Sequence, residues 1–333
     1  MSAGFGARLA AATADHGPLC VGIDPHPGLL ADWGLPDDAS GLREFGLRVV
    51  EAVGGRVAAV KPQSAFFERH GSRGVAALEE VLAAARAAGT LTIMDAKRGD
   101  IGSTMAAYAD AYLRDGSPLA ADALTVSPYL GFGSLQPAVD AALETGRGLF
   151  VLCLTSNPEG AEVQHARRGA GAGVESVAAH VAREAAQVNA PVVAAGDALG
   201  PVGLVVGATI ADAAARTGTD LAAVRGPLLA PGVGAQGAGA CEGRRRGDGR
   251  CVRHGGGRGG ARRGGGRGGG VGRGRCGRAR AGCAAGAATE CHMPGRRSRA
   301  GAVGEARGRG RLRASAGFAP VDDRGGDGGS RGV

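Results

Sequence analysis

Seven short apolar runs recur through the first two thirds of the chain at roughly 30-residue spacing. They are Leu19–Ile23, Val57–Val60, Leu91–Met94, Ala123–Val126, Gly148–Leu154, Val202–Val206 and Leu228–Ala230. Each is short for a helix and too uniformly apolar for a strand with one wet face, so each reads as a strand buried on both faces. Stretches with helical periodicity lie between them: Leu42–Val53, His70–Ala88, Ser103–Arg114, Leu135–Glu144, Val174–Asn189 and a short one after Val206. Another, Phe5–Ala14, precedes the first run, and Ser40 is the expected N-cap of the helix over Leu42–Val53. Alternation of this kind gives a parallel sheet with crossover helices, an α/β architecture whose natural closure at this length is the TIM (β/α)8 barrel. The alternation stops at seven strands, one short of closure.

The strand ends carry the chemistry. The first run ends at Asp24-Pro25, the second at Lys61-Pro62, and the third runs into Asp95-Ala-Lys97-Arg-Gly-Asp100. Side chains alternate along a strand, so Asp95 and Lys97 are expected on one face. In a (β/α) barrel the carboxyl ends of the strands form the active-site mouth, where Asp24, Lys61, Asp95, Lys97 and Asp100 would converge. Residues 1–237 contain only two lysines, Lys61 and Lys97; every other fixed cation there is Arg. Lysine can release a proton when its surroundings tune it, and Arg effectively cannot. An alternating carboxylate–ammonium array makes a preorganised field and holds an ammonium ready as a general acid. A plain surface salt-bridge network would use the same residue types, but would have no reason to sit at the ends of three separate strands. After the seventh strand, Pro231-Gly-Val-Gly-Ala-Gln236-Gly237 offers small residues whose backbone N–H groups can approach an anion.

The net charge of +8 averages two unlike parts. Residues 1–237 hold 17 Lys and Arg against 24 Asp and Glu; residues 238–333 hold 22 Arg and 7 acids. The basic balance that would suggest a nucleic-acid partner therefore belongs wholly to the last third. That third has one Leu (Leu312) and no Ile, Lys, Asn, Gln, Tyr or Trp, and about a third of it is Gly against a usual ~7%. Such a segment is expected to be disordered. It reads either as an RG-rich RNA-binding tail or as GC-rich coding DNA translated out of frame. The second is preferred, because the change of composition falls where strand seven should lead to a helix and strand eight. On this reading the domains are a barrel over 1–237 and an Arg/Gly/Ala-rich tail over 238–333. The barrel is truncated after strand seven, the edges of strands one and seven are left unpaired, and a poorly folded chain follows.

Cys20 and Cys153 lie inside apolar runs and are expected to be buried thiols; the other five cysteines are in the tail without Cys-x-x-Cys spacing. No N-terminal stretch has signal-peptide character and no apolar run approaches the ~18 residues of a membrane span, so a cytoplasmic protein is expected.

Taken together, Gly-Ile-Asp24-Pro-His-Pro, Lys61-Pro-Gln, Asp95-Ala-Lys97-Arg-Gly-Asp100-Ile-Gly, Ser-Pro-Tyr-Leu-Gly-Phe-Gly, Thr-Ser156-Asn-Pro-Glu-Gly and Pro231-Gly-Val-Gly-Ala-Gln236-Gly237 resemble orotidine 5′-phosphate decarboxylase, in its longer, actinobacterial-type subfamily. The resemblance covers about residues 4–237. It implies decarboxylation of orotidine 5′-phosphate to UMP, the last step of de novo UMP synthesis, with no cofactor and no metal. It implies Lys97 as proton donor to C6 of the pyrimidine, Asp95 beside the substrate carboxylate, and Asp24 and Lys61 on ribose hydroxyls, with Lys61 also completing the charge array. Asp100, Ile101 and Thr104 match positions that reach into a partner subunit's site, which implies a homodimer. Ser156 matches a pyrimidine contact, and Pro231, Gln236 and Gly237 belong to the loop over base and phosphate. The family's phosphate-binding Arg follows strand eight, for which the tail offers no matching strand.

Two other readings use the same residues. A magnesium-dependent sugar-phosphate decarboxylase or aldolase would share Asp-x-Lys-x-x-Asp, but not the Lys61-Pro-Gln and Pro231-to-Gly237 strings. An RNA-binding protein would act through the tail, with the barrel as a relic; with the decarboxylase preferred, nucleic acid and membrane are not expected as partners.

Overall fold

The computed structural model describes residues 3–210, 212–233 and 287–292. These residues all fall within the first of two units, Met1–Arg297. The barrel strands are β1 (Leu19–Ile23), β2 (Ala59–Pro62), β3 (Leu91–Arg98), β4 (Ala123–Val126), β5 (Gly148–Leu154), β6 (Val202–Val206), β7 (Leu228–Val233) and β8 (Ala287–His292). The helices are α1 (Phe5–His16), α2 (Pro27–Asp32), α3 (Ala39–Val53), α4 (Ser64–Glu68), α5 (Gly71–Ala87), α6 (Gly102–Leu113), α7 (Gln136–Thr145), α8 (Gly160–Gln164), α9 (Val177–Ala194) and α10 (Ala213–Thr217). A two-residue hairpin, Arg167–Arg168 against Glu175–Ser176, lies between α8 and α9.

All seven expected strands form, all parallel, and neighbours in sequence pair side by side from β1 to β7. They make a curled parallel sheet of the TIM-barrel kind. β8 lies between β7 and β1, parallel to both, with Leu19 opposite Thr289 and Leu228 opposite Ala287. The regular β/α alternation therefore ends at β7, as expected, but the place of the eighth strand is occupied. The expectation that nothing in 238–333 supplies such a strand is corrected. Backbone pairing asks only for an extended chain with free N–H and C=O groups, and the two open edges of a seven-stranded sheet are a template for one. Ala287–Pro294 is the longest stretch of the tail without Gly or Arg. The rest of the disorder expected for 238–333 lies outside the described residues.

Strand alternation sorts the core into two layers. Inward-facing Cys20, Ala59, Ile93, Ala123, Phe150, Val205 and Leu229 pack together inside the barrel. Val60, Met94, Leu124, Val151, Leu204 and Val206 face out and pack beneath the helices. α1 plugs the end of the barrel away from the charged strand ends: Phe5 and Leu9 are fully buried, and the Phe5 ring meets Phe150 edge-on with centroids 5.9 Å apart. Gly148 makes room for this plug, since a Cβ there would lie 2.1 Å from the Phe5 ring.

Helix boundaries differ from expectation in two instructive places. Asp38, not Ser40, caps α3: its carboxylate accepts from the N–H groups of Ser40 and Gly41 at 2.9 and 3.0 Å. The carboxylate reaches two of the orphan donors of the first turn, while Ser40 already lies inside the helix. α9 also runs past Pro191, to Ala194, with only one turn beyond the proline.

Candidate active site

The inward parity that carries apolar residues through the barrel continues upward into polar ones. On β2 it runs Ala59, Lys61 and Gln63; on β3 Ile93, Asp95 and Lys97; on β4 Ala123, Thr125 and Ser127. The charges at the strand ends thus continue inward stripes that begin in the core. They open into a cavity of about 880 Å³, within the usual range for small-ligand sites. Asp24, Lys61, Asp95, Lys97, Ser156 and Pro231 all line it.

Asp95 is the hub. Its Oδ1 accepts from Lys97 Nζ at 2.6 Å and from the Thr125 hydroxyl at 2.9 Å. Its Oδ2 accepts from Lys61 Nζ at 2.6 Å and from Gln63 Nε2 at 2.9 Å. Each oxygen therefore holds one ammonium and one neutral donor. Burial alone would push the Asp95 carboxyl up; the charges of Lys61 and Lys97 and their hydrogen bonds more than reverse this and hold it at about 2, below its ordinary 3.8. The two ammonium groups are not equivalent: the Lys61 side chain is 4% exposed and that of Lys97 45%. Lys61 is built into the wall, and Lys97 presents its donor to the cavity.

β3 does not reach this geometry as a regular strand. Its register against β4 shifts between Met94 and Arg98, and Lys97 sits in the left-handed region with φ +48°. Lys97 turns inward while Arg98 turns out, where its guanidinium pairs with Glu68, bonds the Tyr112 hydroxyl at 3.1 Å and stacks over Tyr108 and Tyr112. Gly99 follows where a Cβ would lie 2.4 Å from the Ser127 carbonyl oxygen, so the exit of β3 passes close over β4 only with glycine there.

Convergence of all five charged residues within one chain is corrected. Asp100 does not line the cavity; its Oδ1 accepts from the Ile101 N–H at 2.8 Å at the start of α6. Ile101 is 63% exposed and Thr104 is also exposed. The bend that brings Lys97 inward sends the next turn of chain away from its own cavity. Gln236 and Gly237 lie outside the described residues.

Gln63 enters the sequence reading only as the last residue of the Lys61-Pro-Gln string, with no role of its own, and Thr125 enters it with none. Gln63 carried a signal, two residues beyond Lys61 on the same inward parity; Thr125 showed only as a hydroxyl in an otherwise apolar run. The far wall of the cavity includes Gln164 and Arg168, from the segment between β5 and α9, and His180 from the first turn of α9 itself. Gln164 pins the loop after β5 by accepting from the Thr155 N–H at 2.9 Å and donating to its hydroxyl at 2.7 Å. Cys20 and Cys153 are buried as expected. Burial pushes the Cys153 thiol up to about 12, which removes it as a nucleophile although it lines the cavity.

Known proteins share the fold and much of the sequence. The chain is 63% identical over 238 residues to an orotidine 5′-phosphate decarboxylase of Salinispora arenicola, a match covering 72% of this chain and 82% of that one. It is 62% identical over 235 residues to the enzyme of that name from Streptomyces coelicolor, covering 70% and 80%. A crystal structure of a Streptomyces avermitilis protein, provisionally named an orotidine 5′-phosphate decarboxylase, superposes with a TM-score of 0.66 at 63% identity, over 72% of this chain and 80% of that one. A sequence model of the family described as orotidine 5′-phosphate decarboxylase / HUMPS family matches residues 17–257. With most of its length matched by that model and close relatives at this identity, the chain belongs to the orotidine 5′-phosphate decarboxylase / HUMPS family.

Proposed function

We infer that the chain decarboxylates orotidine 5′-phosphate to UMP and carbon dioxide in pyrimidine nucleotide synthesis. The observation that carries this is the Lys61–Asp95–Lys97 array lining the cavity, with a buried carboxylate held ionised between two ammonium groups. In the reaction the C6–carboxylate bond breaks, its electron pair stays on C6, and Lys97 transfers an ammonium proton to that carbon. The proton is later replaced from water. Lys97 suits this role because its ammonium is the one exposed to the cavity. Asp95 cannot be neutralised near pH 7, so it stands as a fixed negative charge beside the departing carboxylate. It also holds the Lys97 ammonium in place until the carbanion forms. Asp24 and Lys61 hold ribose hydroxyls, Ser156 meets the pyrimidine, and Pro231 lies over base and phosphate. This chemistry uses no cofactor.

The same reading makes the protein a homodimer whose Asp100, Ile101 and Thr104 complete the partner's site. The exposure of Ile101 (63%), an apolar side chain at the start of α6, supports this. The reading also places the protein in the cytoplasm; among the described residues no helix is long and apolar enough to cross a membrane.

The test is release of labelled carbon dioxide from carboxyl-labelled orotidine 5′-phosphate by the full chain and by Lys97→Ala. The variant is expected to lose turnover by three orders of magnitude or more, roughly the upper range for a general acid, while still binding UMP. Turnover within tenfold of the parent would remove Lys97 from the proton-donor role.

A further inference from the structure

The Thr125 hydroxyl touches both halves of the Asp95–Lys97 pair. Its Oγ1 accepts from the Lys97 backbone N–H at 2.9 Å and donates to Asp95 Oδ1 at 2.9 Å. Thr125 is 1% exposed on β4, on the inward parity, so this hydroxyl is shielded from water. Lys97 is one of two non-glycine residues with positive φ among the described residues, the other being Arg225. An L-residue rarely adopts that conformation unless its surroundings impose it. β3 and β4 also lose their regular register between Met94 and Arg98, so the strand ladder does not hold Lys97 in place there.

We propose that Thr125 is a positioning residue for the decarboxylation: its hydroxyl fixes the left-handed backbone of Lys97 and the rotation of the Asp95 carboxylate, and so aims the Lys97 ammonium. The proposal rests on the decarboxylase reading of the site. A hydroxyl is suited to the task because it accepts one hydrogen bond while donating another, and the β-branched side chain holds χ1 in place. Without it, the Lys97 N–H and Asp95 Oδ1 each lose a partner, and the lysine backbone is free to relax toward an ordinary extended conformation. Nζ would then leave its position over the cavity even though Asp95 and Lys97 are both still present.

The experiment compares the full chain with Thr125→Val, which keeps the shape and removes the hydroxyl, and Thr125→Ser, which keeps the hydroxyl. For Thr125→Val, kcat for orotidine 5′-phosphate is expected to fall at least tenfold with KM within threefold. Hydrogen exchange at the Lys97 amide is expected to speed up at least tenfold. Thr125→Ser is expected to stay within threefold of the parent in kcat and to keep the amide protected. Valine kcat within twofold of the parent, or an unchanged Lys97 amide, would overturn the assignment. So would a serine variant that loses tenfold or more, which also decides the matter if the valine variant does not fold. The amide measurement needs no turnover: a parent chain inactive on orotidine 5′-phosphate would count against the decarboxylase reading, while exchange still judges Thr125.

Discussion

At the residue scale, the site is governed by how one buried carboxylate is kept charged. Asp95 sits where desolvation favours its neutral form, and two ammonium groups at 2.6 Å outweigh that. Its folded value, about 2, lies below the ordinary 3.8, so ionised Asp95 contributes stability above about pH 4. That contribution is lost as pH falls from about 4 toward 2. A shift of this size corresponds to something on the order of 2 kcal/mol. Asp38, Glu159 and Glu175 are also held below their ordinary values, so the parent protein alone does not isolate Asp95. The stability gap between the parent and Asp95→Asn, measured by urea unfolding from pH 7 to pH 2, is expected to shrink across that window. A gap that stays constant would mean that the two lysines do not depress Asp95.

At the scale of elements, β3 and α6 divide the charged motif between two places. β3 delivers Asp95 and Lys97 to its own cavity, and the bend at Lys97 and Gly99 carries Asp100, Ile101 and Thr104 to the outer surface at the start of α6. If that surface completes a partner's site, inactive subunits should complement one another. Mixing Lys97→Ala with Asp100→Ala subunits and allowing exchange is expected to recover up to about a quarter of parental activity per site. In the hybrid dimer one of the two composite sites has both residues intact. Hybrids shown to form by mass spectrometry but without any recovery would mean that each site is built from one chain. The motif was legible in sequence as charges at fixed spacing; its partition was implied only by the family resemblance and not by the spacing, because it depends on one lysine adopting a backbone conformation that propensity disfavours.

At the scale of the whole molecule, closure of the barrel depends on a segment far along the chain. β8 supplies ladder partners to both β1 and β7. Deleting residues 238–333 removes it and exposes two strand edges. With several ladder hydrogen bonds lost at roughly 1 kcal/mol net each, the thermal midpoint of the truncated chain is expected to fall by on the order of 10 °C or more. An unchanged, cooperative transition in differential scanning calorimetry would show that Ala287–His292 does not complete the fold in solution. We retain the proposal that residues 238–333 arise from a change of reading frame near Ala235–Gly239. A segment of that origin can still serve as a strand, since ladder pairing uses the backbone. The nucleotide sequence around codons 230–245 tests it: a single-base shift should restore a Leu- and Val-rich helix, strand and helix.

Sequence by itself determined what rests on local periodicity. Uniformly apolar runs such as Val202–Val206 could only be strands buried on both faces, and their period of two carried Ala59 to Lys61 and Ile93 to Asp95 on one inward face. The alternation with helices then required a parallel barrel, and charges at three strand ends marked its mouth. Tertiary structure decided what depends on groups distant in the chain. Thr125 and Gln63 complete the hydrogen bonding of Asp95 from neighbouring strands, and no spacing within one segment encodes that. Asp100 leaves the cavity because the close approach of Gly99 to Ser127 sets the exit of β3. The eighth strand comes from Ala287–His292 because two unpaired edges, some 270 residues and some 60 residues upstream, present open backbone groups that an extended segment can satisfy.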